Sequence, residues 1–172
     1  MKTLFDLDVL TLGQKADAIR RKLHGTKLYF NTNKHINPTN ICKDVCKFCA
    51  FSASRKNPHP YAMTKEEILR SLDEAIGHIT EVHIVGAHNK EMALDFYTDL
   101  FRTIKQRHPH IHLKAMTAAE VNFFAEHDNI SYETVLSRLA DSGVDSMPGG
   151  GAEIFDETLR KRICGGKVTS EN

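Results

Sequence analysis

Neither sign of charge dominates this chain: 23 lysines and arginines stand against 22 aspartates and glutamates, for a formal net charge of +1. That balance makes no electrostatic case for a nucleic acid or an anionic membrane as partner. Apolar runs are short, and none approaches the ~18 to 20 residues of a membrane-spanning helix. A secretory leader is not expected from M-K-T-L-F-D-L-D-V-L either, because Asp6 and Asp8 interrupt any apolar core. Cysteine is scarce, at four residues. A secreted disulfide scaffold is thereby disfavoured, and the expected location is a reducing cytoplasm, where thiols stay free. The rest of the composition is that of a globular protein, with 41% hydrophobic and 26% charged residues. At 172 residues, the chain suffices for one domain with a sizeable core.

Periodicity and turn chemistry suggest alternating elements. Leu12 to Leu23 reads as an amphipathic helix stopped by Gly25, within an N-terminal helical segment covering residues 1–26. K-L-Y-F-N-T-N, with β-formers at Leu28, Tyr29 and Phe30, predicts the first strand, and H-I-N-P-T-N leads on into a loop. Pro58 and Pro60 exclude helix between Ser52 and Tyr61. Thr64 and Glu67 form a capping box opening a helix with Ile68, Leu72, Ala75, Ile76 and Ile79 on its apolar face. E-V-H-I-V-G-A predicts a buried strand, Leu94 to Ile104 a helix, and residues 112–117 a third strand. A helix from Ser131 closes at Gly143, V-D-S-M-P reads as a fourth strand, and Ile154 to Ile163 is helical, ending near Cys164.

This alternation implies an α/β fold: a parallel sheet with helical crossovers, open or rolled into a barrel. Functional residues of such folds gather on loops at the C-terminal ends of strands. Four loops hold that position: the cysteine loop, G-A-H-N-K, T-A-A-E and P-G-G-G.

Three of the four cysteines, Cys42, Cys46 and Cys49, crowd into N-I-C-K-D-V-C-K-F-C-A-F with the spacing C-x3-C-x2-C. On a loop, such spacing lets three thiolates converge on one centre, and soft sulfur ligands suit zinc or an iron–sulfur cluster. Structural zinc normally takes four protein ligands in two spaced pairs. Here the second pair is missing, and Cys164, His35 or His59 enters only as a distant or merely neighbouring candidate. Three thiolates leave one metal position open; in a 4Fe-4S cluster that is one iron free to bind a substrate. Zinc remains an alternative, as do three buried cysteines acting as small hydrophobes. Against the last, Lys43, Asp44 and Lys47 between them do not resemble a core segment. Of the histidines, His83 reads as a satisfied core residue within a strand. His88, at a strand's C-terminal end, is a site candidate. His108, His110 and His112 carry no role.

C-x3-C-x-aromatic-C, with Phe48 as the aromatic, resembles the signature of radical S-adenosylmethionine (SAM) enzymes. F-N-T-N-K-H-I-N-P-T-N-I-C, C-K-F-C-A-F-S-A-S-R-K-N-P-H-P-Y, E-V-H-I-V-G, K-A-M-T-A-A-E and D-S-M-P-G-G-G-A-E-I-F-D-E are similar to the aminofutalosine synthase family of the futalosine route to menaquinone. The resemblance runs from about Lys27 to Cys164. The cyclic dehypoxanthinylfutalosine synthases and the deazaflavin-cofactor synthases share the cysteine loop and stand as alternatives.

The resemblance implies that residues 27–172 are the N-terminal portion of a TIM-type radical SAM barrel, an incomplete barrel of about four strand–helix units. It implies a 4Fe-4S cluster ligated by Cys42, Cys46 and Cys49, whose remaining iron takes the amino and carboxylate groups of SAM. Reductive cleavage then yields a 5′-deoxyadenosyl radical. In the aminofutalosine family this adds to the enolpyruvyl double bond of 3-[(1-carboxyvinyl)oxy]benzoate, consuming SAM as a reactant. A low-potential electron donor such as flavodoxin or ferredoxin is implied as a partner.

By the same resemblance, Phe48 packs beside the cluster near the adenine. Gly86 and Ala87 match the glycine-rich turn that approaches the SAM methionine, where many relatives carry a second glycine. His88, Glu120, Gly149 and Gly150 are candidate substrate-pocket residues. Simpler readings stand beside them: an ordinary strand-to-helix turn for G-A-H-N, a helix N-terminus for Glu120, a flexible loop for the glycines. Family members are considerably longer. The expectation is therefore a truncated form, one half of an enzyme complemented by a C-terminal half, or an inactive metal-binding fragment.

Overall fold

The structure is a computed structural model describing residues 3–44, 46–53, 58–150 and 153–171. It divides into two compact units, 1–31 and 32–172. In the first, helix α1 (Val9–His24) is capped by Asp8, whose carboxylate accepts from the backbone N–H groups of Leu10 and Thr11. The cap sets its start ahead of Leu12, where the amphipathic pattern begins. Gly25, at φ 61°, ends it. Leu28, Tyr29 and Phe30 lie outside any strand.

The second unit is built on a parallel sheet ordered β1 (Asn33–Ile36), β2 (Glu81–Ile84), β3 (His112–Ala115). The first strand thus forms at N-K-H-I, after the β-rich Leu28–Phe30 segment. Pairing with β2, from Asn33 opposite Glu81 to Ile36 opposite Ile84, decides its position over intrinsic preference. Strand alternation gives the sheet two unlike faces. Ile36, Val82, Ile84, Leu113 and Ala115 join one core cluster. The other face carries His35, His83 and Lys114 in register, with Lys114 paired to Glu81 at 3.0 Å.

The core face is covered by α2 (Lys65–Asp73), α3 (Leu94–Arg107), α4 (Ala118–Asp128) and α5 (Tyr132–Asp141), through residues such as Ile68, Leu72, Phe101, Phe124 and Leu139. A further helix, α6 (Glu157–Cys164), is capped by Asp156. The Thr64–Glu67 capping box forms as expected. Its helix stops at Asp73, so Ile76 and Ile79 reach the core from a separate 3-10 turn and from the residue that caps it. Helix α4 has no periodic signature: Ala119 through Ala125 are all buried, so no polar face alternates with an apolar one. The expected fourth strand is reduced to one parallel bridge, Lys114 to Ser146. Of the proline segment, 54–57 lie outside the described residues, and the remainder is not helical.

Candidate functional site

The cysteine loop leaves β1 through Asn37–Asn40, and this N-P-T-N stretch anchors it. Thr39 pairs with Ala62 in an antiparallel bridge. The Asn40 side chain donates to the His59 carbonyl at 3.0 Å and accepts from the Tyr61 N–H at 2.8 Å. Thr39 and Asn40 are buried, so these bonds satisfy groups that water cannot reach. The loop is tied down again beyond the anchor: Lys43 N–H donates to the His88 carbonyl at 2.9 Å, and Lys47 N–H to the Ile163 carbonyl at 2.7 Å.

Held this way, Cys42, Cys46 and Cys49 line one cavity of about 300 Å³, at the lower end of the range for small-molecule sites. Phe48, Gly86, Ala87, His88, Glu120 and Gly150 line it too. Four sequence-distant loops therefore meet at the C-terminal ends of the strands. Gly149 is outside the lining; Gly151 lies outside the described residues. Phe48 is half exposed at the rim, at 51%. Ala87 does not take positive φ, so it replaces a second glycine without strain. Asp44, Glu153 and Lys167 also line the cavity, and sequence reasoning did not place them there. Asp44, one of the charged residues that set the cysteine segment apart from a core segment, is nonetheless 3% exposed. Glu153 and Lys167 form an ion pair with each other; their lone signal was proximity to the last glycine-rich turns.

No disulfide links the cysteines. Burial pushes the Cys42 thiol up, and Cys46 up to about 11. Cys49 is also raised by burial, but backbone hydrogen bonds from Ser52 and Phe51 outweigh it, leaving its pKa below the ordinary value. Asp44 N–H donates to Cys42 Sγ, and Ser52 N–H to Cys49 Sγ, each at 3.4 Å. Cys164, expected at a helix end, is buried at the last residue of α6.

Glu120 occupies the third position of a capping box. One carboxylate oxygen accepts from Thr117 N–H at 2.7 Å and Thr117 Oγ1 at 2.8 Å. The other accepts from Gly86 N–H at 2.9 Å. The carboxylate thereby fastens the turn after β2 to the turn after β3. Burial raises its pKa, partly offset by the Gly86 and Thr117 donors. Met116, just before this cap, holds a left-handed φ of 63° in full burial, and its N–H donates to the Ile84 carbonyl.

His88 stacks on Phe123, with centroids 5.0 Å apart and planes 2° from parallel. Its Nδ1 stands 2.7 Å from Asp44 Oδ2 without hydrogen-bond geometry. His83 is not the satisfied core residue expected: it is half-buried and stacks on His35 at 4.6 Å, and its buried Nε2 has no hydrogen-bond partner. A parallel strand pairing brings two imidazoles together there and supplies no acceptor. Neither His35 nor His59 lines the cysteine cavity.

A family model for the radical SAM superfamily matches residues 36–172. The chain belongs to this superfamily. It is 36% identical to an aminodeoxyfutalosine synthase of Thermus thermophilus over 165 residues, 95% of this chain and 44% of that protein. It is 39% identical to a cyclic dehypoxanthine futalosine synthase of Halalkalibacterium halodurans over 166 residues, 95% of this chain and 45% of that protein. Among solved structures, methylornithine synthase superposes with a TM-score of 0.72 at 16% identity, covering 98% of this chain and 45% of its own. That likeness extends to the fold alone. The radical SAM chain thus spans less than half the length of the curated relatives it matches.

The donor set fits the group this superfamily uses. Three free thiols share one cavity, two of them already accept backbone N–H bonds, and no fourth cysteine lines the space among the described residues. A three-thiolate centre with one open side is what such a set can hold.

Proposed function

We propose that this chain is part of a radical SAM transferase that joins the 5′-deoxyadenosyl group of SAM to 3-[(1-carboxyvinyl)oxy]benzoate, with release of methionine and loss of the enolpyruvyl carboxylate, giving aminofutalosine in menaquinone biosynthesis. The observation that carries it is the convergence of the three C-x3-C-x2-C thiols on a cavity shared with the turns after β2 and β3. Cys42, Cys46 and Cys49 would hold a 4Fe-4S cluster, and SAM would take the open side. When bound, that pair supplies reductive cleavage of the sulfonium, with an electron from a donor of the flavodoxin or ferredoxin type.

The chain's own residues bind and orient. Gly86 and Ala87 present main chain to the cavity, and Phe48 offers an aromatic face at its rim. Glu120 is a positioning residue: both its oxygens are engaged by Gly86 and Thr117, so it holds the Gly86 turn rather than moving a proton. His88 and Gly150 also line the cavity, and there they would face the substrate. A C-terminal half, continuous or separate, would supply further pocket residues. Holding the reacting groups in place and keeping quenchers out is the protein's task in radical chemistry.

A second reading, cyclisation of a futalosine derivative, is favoured by the 39% identity to a cyclic dehypoxanthine futalosine synthase. The test begins with iron and acid-labile sulfide per chain after anaerobic reconstitution, beside the triple variant Cys42→Ala, Cys46→Ala, Cys49→Ala. About four of each in the parent, lost in the variant, is the expected result. Zinc without sulfide after the same treatment would end the proposal. Aminofutalosine formed from the enolpyruvyl benzoate then decides between the two chemistries.

A further inference from the structure

Two side chains beside the cysteines carry buried polar atoms without a hydrogen-bond partner among the described residues, and His88 Nδ1 meets only Asp44 Oδ2, at 2.7 Å and without hydrogen-bond geometry. Asp44 is 3% exposed and His88 7%. Asp44 Oδ1 and His88 Nδ1 are both buried without a hydrogen-bond partner. Unsatisfied buried polar atoms are rare and costly, so two in one place call for a ligand. Both residues stand beside Cys42: one ligand atom from each of the three residues lies within 4.8 Å of the others.

Backbone and packing hold the three donors in place. Asp44 N–H donates to Cys42 Sγ, Lys43 N–H donates to the His88 carbonyl, and the His88 ring is clamped flat on Phe123. Sulfur, carboxylate oxygen and imidazole nitrogen are the three donor types that zinc accepts, at bonds of about 2.0–2.3 Å. Charge agrees: a thiolate, a carboxylate and a neutral imidazole balance a divalent cation, so the buried assembly carries no net charge. Two nearby cations are already committed, Lys43 to Glu126 at 2.9 Å and Lys167 to Glu153.

We propose that in the cluster-free chain Cys42, Asp44 and His88 form a mononuclear site for a zinc-class divalent cation, with its fourth position open to water. On binding, the Cys42 thiol gives its proton to solvent and the S–metal bond replaces S–H; nothing is oxidised or reduced. The consequence for assembly rests on the cluster reading above: Cys42 is common to both ligand sets, so zinc and the cluster exclude one another, and zinc would hold the loop until iron and sulfide displace it.

The experiment titrates Zn²⁺ alone into the reduced, metal-free chain against a chromophoric chelator. One zinc per chain is expected. Cys42→Ser, Asp44→Asn and His88→Gln should each weaken binding by at least about tenfold, the lower end of what loss of even an outer partner costs. Cys46→Ser and Cys49→Ser should change it less than about threefold. Loss of zinc in the Cys46 and Cys49 variants, with none in Asp44→Asn or His88→Gln, would place the cation on the three thiolates and overturn the proposal. Absence of binding at micromolar zinc would overturn it too. Co²⁺ in the unaltered chain gives a readout that needs no variant to fold: charge-transfer intensity of one thiolate is expected, and that of three would be fatal. Failure here leaves iron and sulfide incorporation untouched, so the two readings fail separately.

Discussion

Thr64 and Glu67 at the start of α2 make the same reciprocal hydrogen bonds as Thr117 and Glu120 at the start of α4. The first pair is exposed, and its bonds cap one helix. In the second, Glu120 is 3% exposed and its spare oxygen takes the Gly86 N–H from another strand's turn. Four residues of identical local chemistry thus end as a helix cap in one place and as a brace of the cavity in the other. What differs is the surroundings: a carboxylate in water has unlimited donors, whereas a buried one must be satisfied by the chain.

The sharpest way to break this comparison is to remove the two carboxylates. Glu120→Ala leaves the Gly86 and Thr117 N–H groups without their acceptor, at about 1–3 kcal/mol each, so roughly 2–6 kcal/mol should be lost in urea unfolding. Next in size is the contrast among the thiols, which are again alike in chemistry and unlike in surroundings. Cys46 is pushed up to about 11, while Cys49 lies below the ordinary 9.0. At pH 8 the thiolate fractions should differ by about a hundredfold or more. Alkylation of the metal-free chain, followed by peptide mass spectrometry, should modify Cys49 first; equal rates would mean the backbone donors at Ser52 and Phe51 have no effect.

A smaller effect comes from pH. The Glu120 carboxyl is raised in the folded chain by burial. Above the ordinary glutamate value of 4.5, the unfolded chain therefore releases a proton that the folded chain keeps. The group's contribution to stability is full below that value and declines as pH rises through the folded pKa, by at most about 1.4 kcal/mol for each pH unit in between. Glu120→Gln should flatten the stability profile in that window, as read by urea unfolding at stepped pH; an unchanged slope would show that the donors cancel the burial. The smallest expected effect is that of Glu67→Ala, about 1 kcal/mol or less, for an exposed cap. A loss matching that of Glu120→Ala would erase the distinction between the two boxes.

Several features were decided by the sequence alone because their causes lie within a few residues of one another. The capping box at Thr64 needs only Glu67 three positions on, and Ser131 and Asp156 likewise cap their own helices. The strand–helix alternation is legible because β2 and β3 alternate polar with apolar residues, and α3 shows a periodic apolar face. The C-x3-C-x2-C spacing suffices to bring three thiols to one loop. Other features depend on partners far along the chain, and there sequence reasoning fell short. β1 lies at Asn33–Ile36 because β2 pairs it there. Helix α4 is buried continuously from Ala119 to Ala125, which removes the periodicity that would have announced it. Asp44, a charge in a segment unlike a core segment, is a buried neighbour of His88, 44 positions away, where Lys43 N–H bonds the His88 carbonyl. Local hydrogen bonding and spacing determine which elements form. Burial depends on what the folded chain brings alongside, and so only the tertiary structure decides which alike groups become different ones.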